Sequence, residues 1–245
     1  GKFRSLGIKS TNPIAVGDHV FFEIIDEIES RGIITKIEKR KNYIIRKSVN
    51  LSKQTHIIAS NIDYCFLFVT PSNPNTSTLF IDRVLLSTKS FGIETIILFN
   101  KLDIYSKDDI EYIDELFNTY TKIGYQCLKI SVKKRVNIDK VEKFMNNNVS
   151  VFTGHSGVGK TSLMNELDSE LNLKTSKISK QNEQGQHTTT FAEMFDLNNG
   201  AKIIDSPGIK GFGLIDIEKS EIGGFFPEIA SLSSDCKFNN CLHFN

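Results

Sequence analysis

Residues able to hold a nucleoside triphosphate stand together at Gly154-His155-Ser156-Gly157-Val158-Gly159-Lys160-Thr161, which matches G-x-x-x-x-G-K-[ST] at every position. Glycines in such a loop let backbone N–H groups curl toward phosphate oxygens, and the helix that follows adds the partial positive charge of its N-terminus. Lys160 would reach the β- and γ-phosphates, Thr161 would hold Mg²⁺, and Ser162 would line the same phosphates. The flanks agree with this reading. Val149-Ser150-Val151-Phe152-Thr153 reads as a short strand and Ser162-Leu163-Met164-Asn165-Glu166-Leu167 as a helix, the context that a phosphate loop requires. His155 is read as a loop position whose side chain points outward.

A base pocket is signalled at Asn100-Lys101-Leu102-Asp103, directly after the apolar run Thr95-Ile96-Ile97-Leu98-Phe99. Open α/β sheets bind ligands at the carboxyl ends of their strands. A carboxylate placed there can accept from both the ring N–H and the exocyclic amine of guanine, an arrangement that adenine does not offer. Asp103 is assigned that contact, Asn100 the bracing of the loop and a touch on the base, and the Lys101 stem the cover of the ring face. A second base-contacting loop is expected at Ser131-Val132.

Three further groups carry metal chemistry. A polar stretch from Lys174 to Gln186 runs into His187-Thr188-Thr189-Thr190, a candidate switch in which Thr189 would complete the Mg²⁺ shell when a γ-phosphate is present. Ala201-Lys202-Ile203-Ile204 then delivers Asp205-Ser206-Pro207-Gly208, where Asp205 would bind Mg²⁺, through water, and the Gly208 N–H would sense the γ-phosphate. Near the end, Cys236, Cys241 and His243 stand within eight residues and suggest Zn²⁺. A structural zinc site needs a fourth ligand, expected past Asn245.

The elements that must position these residues follow from periodicity. Residues 64–70, 95–99, 126–130, 149–153, 191–197 and 201–204 read as strands, alternating for the most part with helices near 79–92, 108–120, 138–145 and 162–167, which predicts an α/β fold with a mostly parallel sheet. Ahead of it, His19 to Ile25, Gly32 to Ile37 and Tyr43 to Arg46 alternate as short strands around the basic turn Lys39-Arg40-Lys41-Asn42. Three strands with a basic turn suit a small barrel of the oligonucleotide-binding kind, and because three do not close a barrel, further strands ahead of Gly1 are expected. Residues 48–62 read as a linker, and 221–232 as a helix. The expected domains are 1–60, an oligonucleotide-binding (OB) type RNA-binding unit with its linker; 61–215, the nucleotide-binding unit; and 216–245, the start of a zinc-binding unit.

With 245 residues and 39% hydrophobic content the chain can bury a sizeable core. No run approaches a membrane span or a signal peptide, so a cytoplasmic protein without membrane contact is expected. Cys65 and Cys127 lie in apolar runs and read as buried thiols. Net charge is +1, yet residues 1–60 carry eleven Lys/Arg against six Asp/Glu, which places the basic charge at the front.

The motifs occur as base loop, second base loop, phosphate loop, switch threonines and then Asp205 to Gly208, whereas ordinary GTPases place the phosphate loop first. This order, with a basic β-unit ahead and a Cys/His cluster behind, resembles the circularly permuted ribosome-biogenesis GTPases of the RsgA (YjeQ) family. The resemblance implies an OB barrel, a circularly permuted P-loop GTPase domain and a zinc domain. It also implies a GTPase acting in late maturation of the small ribosomal subunit, contacting its rRNA, with GTP, GDP, Mg²⁺ and Zn²⁺ as ligands and hydrolysis stimulated by the subunit. A monomer is expected. Cys236, Cys241 and His243 match the first three of the family's zinc ligands. The family's usual Gly-Arg-His-Thr-Thr is Gly185-Gln186-His187-Thr188-Thr189 here, which leaves any role of that Arg in doubt. The residue after Gly208 is Ile209, where many GTPases use Gln to orient water, so His187 is assigned the catalytic positioning of water, beside Lys160 and Thr189. Two rivals stand beside this reading: a generic P-loop NTPase, which would need a different base pocket, and a non-enzymatic RNA-binding scaffold with a vestigial nucleotide site.

Overall fold

The computed structural model of the protein describes residues 13–47, 55–171, 173, 192–205, 217–233, 235 and 236. Of the sequence-derived candidates, His187, Thr188 to Thr190, Gly208, Cys241 and His243 lie outside the described residues.

A six-stranded sheet forms the centre. Its strands are β5 (Tyr64–Val69), β6 (Glu94–Phe99), β7 (Gln126–Lys129), β8 (Val149–Thr153), β9 (Glu193–Asp196) and β10 (Lys202–Asp205), in spatial order β7-β6-β5-β8-β10-β9. All neighbours are parallel except β9, which pairs antiparallel with β10 at the edge. The helices are α1 (Thr78–Ser90), α2 (Lys107–Ile123), α3 (Ile138–Met145) and α4 (Lys160–Leu167).

Strand alternation sends side chains to two separate apolar layers. Cys65, Leu67, Val69, Ile97, Phe99, Val151 and Ile204 pack with α1 and α2, through Ile81, Val84, Leu85, Ile113 and Leu116. Phe66, Phe68, Ile96, Leu98, Phe152 and Ile203 pack on the other face with α3 and α4, through Ile138, Val141, Met145, Leu163 and Met164. Both faces are covered, which is why the inner strands read as unbroken apolar runs rather than as alternation. Helix boundaries have local causes. Ser77 caps α1 by accepting the Phe80 N–H, and Ser106 with Asp109 forms a reciprocal capping box at α2, which ends at Gly124 in the left-handed region.

The front of the chain forms two antiparallel ladders: β1 (Val20–Asp26) with β2 (Arg31–Ile37), and β3 (Tyr43–Lys47) with β4 (Thr55–Ser60). The second ladder corrects the linker reading of residues 48–62, because Thr55 to Ser60 is a strand. Ile44, Ala59 and Ile62 are fully buried in the same layer as α1 and α2, so this ladder is packed onto the nucleotide-binding unit. Among the described residues the two ladders do not close into a barrel, and Phe22, Ile24 and Ile25 of β1 are exposed.

The basic turn is in part internal. Arg40 donates Nε and Nη2 to the two carboxylate oxygens of Asp18 at 2.6 and 2.7 Å, and Ser60 Oγ donates to the same carboxylate at 2.6 Å. Burial alone would raise the Asp18 pKa, but the Arg40, Ser60 and Ala15 N–H bonds outweigh it and hold the carboxyl below its ordinary value. Lys41 pairs with Asp63 at 2.7 Å, so of Lys39, Arg40 and Lys41 only Lys39 has no ion pair among the described residues.

The tail also departs from the expected helix over 221–232. A 3-10 turn (Ile222–Phe225) precedes α5 (Pro227–Ser233), because Gly223-Gly224 and Pro227 interrupt helical hydrogen bonding. Pro227 joins Leu85, Thr88, Glu94 and Gln126 around a cavity of about 470 Å³ at the amino ends of β6 and β7, the end of the sheet opposite the phosphate loop. Cys65 is fully buried, and Cys127 is half-buried with its thiol pushed up to about 11 by burial.

Candidate active site

The chain leaves β5 toward β6 on one side of the sheet and leaves β8 toward β10 on the other. The crevice at the carboxyl ends of β5 and β8 is therefore a topological switch point. Gly154 to Gly159 lies there, between β8 and α4, and Lys160 opens α4. Gly154 has φ +140°, and a Cβ on it would stand 2.8 Å from the Phe68 carbonyl oxygen. Gly159 has φ +105°, and a Cβ there would stand 2.3 Å from Asn100 Nδ2, so only glycine lets the loop approach the base loop this closely.

Lys160 Nζ donates to the carbonyls of Gly154 and His155, both at 2.8 Å, which folds the ammonium back over the loop where phosphates would sit. Burial pushes its pKa down to about 8, opposed by the Asp205 carboxylate. Asp205 closes β10, the strand beside β8, and Thr161 is the second residue of α4. A carboxylate and a hydroxyl brought to the phosphate end of the crevice are the oxygen donors that a magnesium ion takes. His155 departs from the outward expectation, since its ring lies 4.2 Å from that of Phe80 on α1.

The base loop is tied to the phosphate loop through a side chain that is itself buried. Asn100 Nδ2 donates to the Val158 carbonyl at 2.8 Å, and Asn100 Oδ1 accepts the Val132 N–H at 3.4 Å. Ser131 Oγ donates to Asp103 Oδ1 at 2.6 Å and accepts the Lys134 N–H, which fixes the carboxylate's orientation. Asn100, Asp103, Ser131 and Gly154 to Lys160 are thus one connected constellation. Lys101 takes φ +68°, and burial lowers its pKa, opposed by Asp103. Its Nζ donates to the Asn73 carbonyl at 2.6 Å, a contact with the β5–α1 connection that sequence spacing did not indicate. A salt bridge from Arg135 to Glu166 joins the second base loop to α4. Cys236 follows α5, and among the described residues no group of three metal-ligating side chains gathers.

A mostly parallel sheet with a phosphate loop at its switch point, and a base loop hydrogen-bonded to that loop from an earlier strand, defines a P-loop GTPase domain in permuted chain order. Comparison with known proteins agrees. The family model described as RsgA GTPase matches residues 37–215. The protein named small ribosomal subunit biogenesis GTPase RsgA of Christiangramia forsetii is 56% identical over 244 residues, covering 99% of this chain and 78% of the relative. Its namesake in Flavobacterium psychrophilum is also 56% identical, over 99% of this chain and 75% of the relative. Among solved structures, YjeQ from Thermotoga maritima superposes with a TM-score of 0.76 at 29% identity, covering 100% of this chain and 77% of that one. YloQ, described as a circularly permuted GTPase, gives 0.71 at 28% identity, covering 97% and 72%. The chain belongs to the RsgA GTPase family and is a GTP hydrolase.

Proposed function

We propose that this GTPase binds the small ribosomal subunit and assists its late maturation, hydrolysing GTP to GDP and phosphate with stimulation by the subunit. The observation that supports the nucleotide half is the bond from Asn100 to the Val158 carbonyl, which ties the loop read as the base site to the phosphate loop. The ribosomal half is supported by relatives at 56% identity over nearly the whole chain whose printed name is small ribosomal subunit biogenesis GTPase.

In this reading Asp103, held by Ser131, accepts the two guanine N–H groups, and the Lys101 stem covers the ring. Backbone N–H groups of His155 to Thr161 and the first turn of α4, including Ser162, line the phosphates. Lys160 places its charge at the β- and γ-phosphates and stabilises charge developing on the transferred group. Thr161 and Asp205, with Thr189, would hold magnesium, which when bound neutralises the phosphate oxygens. The Gly208 N–H reports the γ-phosphate, and His187 orients the attacking water in the subunit-bound state. Cys236, Cys241 and His243 belong to a zinc-binding unit, and the front ladders to an OB-type RNA-binding unit. The protein acts in the cytoplasm as a monomer.

The decisive experiment is GTP turnover alone, with small subunits and with large subunits. Stimulation by small subunits only supports the proposal; equal stimulation by both, or none, refutes it. Within it, His187→Ala should abolish most of the stimulated rate while leaving GDP affinity unchanged. An intact stimulated rate removes His187 from the mechanism.

A further inference from the structure

The connection from β5 to α1, residues 70–77, belongs to neither nucleotide-binding motif, yet it is built as tightly as either. Thr70 and Thr76 are fully buried polar residues. Thr70 Oγ1 donates to the Pro74 carbonyl at 2.5 Å, Thr70 N–H donates to Thr76 Oγ1 at 3.2 Å, and Thr76 N–H returns to the Thr70 carbonyl at 2.9 Å. These three bonds fold the segment back on itself within seven residues. Asn73 stands at the tip with φ +48°, a left-handed conformation that asparagine tolerates better than most side chains. Its carbonyl is the acceptor for Lys101 Nζ. The segment then runs into α1, whose Phe80 ring rests against His155 of the phosphate loop.

A lysine has a long flexible stem with several rotatable bonds, and fixing it on the face of a base costs rotamer freedom. An acceptor that already holds the ammonium removes that cost before the ligand arrives. We propose that Thr70, Asn73 and Thr76 are positioning residues of the guanine site, which hold the Lys101 ammonium at the Asn73 carbonyl so that the Lys101 stem is set across the base. The role rests on the base-pocket reading of Lys101 and Asp103 above. It assigns to a third loop a share in guanine affinity without any contact of its own with the nucleotide.

The test is a double-mutant cycle on GDP affinity in the full chain. Thr70→Val keeps shape and backbone bonds but deletes the hydroxyl, and Lys101→Met keeps the stem but deletes the donor. Thr70→Val alone should weaken GDP binding roughly threefold to tenfold, the scale of one intramolecular hydrogen bond. It should raise KM for GTP with little change in kcat. In the Lys101→Met background the same change should have no further effect, because Thr70 acts only through Lys101. An equal fold-loss in both backgrounds overturns the proposal, since a merely structural role is additive. If Lys101→Met by itself leaves GDP affinity unchanged, the ammonium tether carries nothing and the inference is overturned while the base-pocket reading stands; if Asp103→Asn leaves the preference for guanine over xanthine nucleotides unchanged, that reading fails, and the inference with it. Thr76→Ala run through the same cycle, with melting temperatures recorded, decides the matter if Thr70→Val does not yield folded protein.

Discussion

Raising the pH from 7 to 8.5 should weaken nucleotide binding through one side chain. Lys160 in the ligand-free fold has its pKa lowered to about 8, chiefly by burial. Nucleotide phosphates beside the ammonium would restore the charged form, so the complex keeps its proton where the free protein loses it. Above the free-state pKa the complex therefore holds more protons, and affinity falls as pH rises. With a pKa of about 8, roughly nine-tenths of the lysine is charged at about pH 7 and roughly a quarter at about pH 8.5, which raises Kd for GDP about fourfold. A lysine at its ordinary value of about 10.5 would change Kd by only about 1%. Calorimetry in buffers of different ionisation enthalpy should also show about three-quarters of a proton taken up per GDP bound at about pH 8.5. This range stops short of ionising the guanine ring N–H, and magnesium is held constant.

A general loss of structure would not imitate the effect. The unfolded chain holds its lysine proton to higher pH than the fold does, so Lys160 makes stability rise with pH over this interval while affinity falls. The two readouts have opposite signs. A flat Kd with no proton uptake would refute the assignment of Lys160 as a desolvated phosphate ligand.

Two substitutions probe the joint between the loops. Gly159→Ala introduces a Cβ at 2.3 Å from Asn100 Nδ2 and at φ +105°, so nucleotide affinity measured by fluorescence titration should fall by more than about tenfold. Ser131→Ala removes the hydroxyl that orients Asp103 at 2.6 Å and should raise Kd for guanine nucleotides by about tenfold, the scale of a bond to a charged group, with the melting temperature nearly unchanged. For the core, Phe152→Ala, which empties a fully buried site between Phe66 and Phe68, should cost about 3–5 kcal/mol in urea unfolding.

Much of this was legible before any coordinates. The inner strands announced themselves because both their faces are buried, and β5, β6 and β8 fall within a residue or two of where apolar runs predicted them. The phosphate loop and Asn100 to Asp103 were readable because the chemistry of phosphate and guanine restricts residue types over a few adjacent positions. Segments with one face toward water were less legible. Thr55 to Ser60 read as a linker, since its polar ends mask a short strand whose Ala59 is buried. Arg40 read as part of a basic surface, and its pairing with Asp18 depends on a fold-back across 22 residues.

By itself, the sequence determined which ligand chemistry is present and in what order its parts occur along the chain, because adjacency in a motif is local and survives in one dimension. Only the tertiary structure decided how those parts meet. Asn100 finds the Val158 carbonyl 58 residues away, Ser131 finds Asp103 across 28, and Lys101 finds Asn73 across another 28. Those contacts exist because β7, β6, β5 and β8, distant in the chain, lie side by side and parallel in the sheet and bring their following loops to one end of it. Strand pairing brings distant segments together whatever their separation in sequence, and no spacing rule along the chain encodes it.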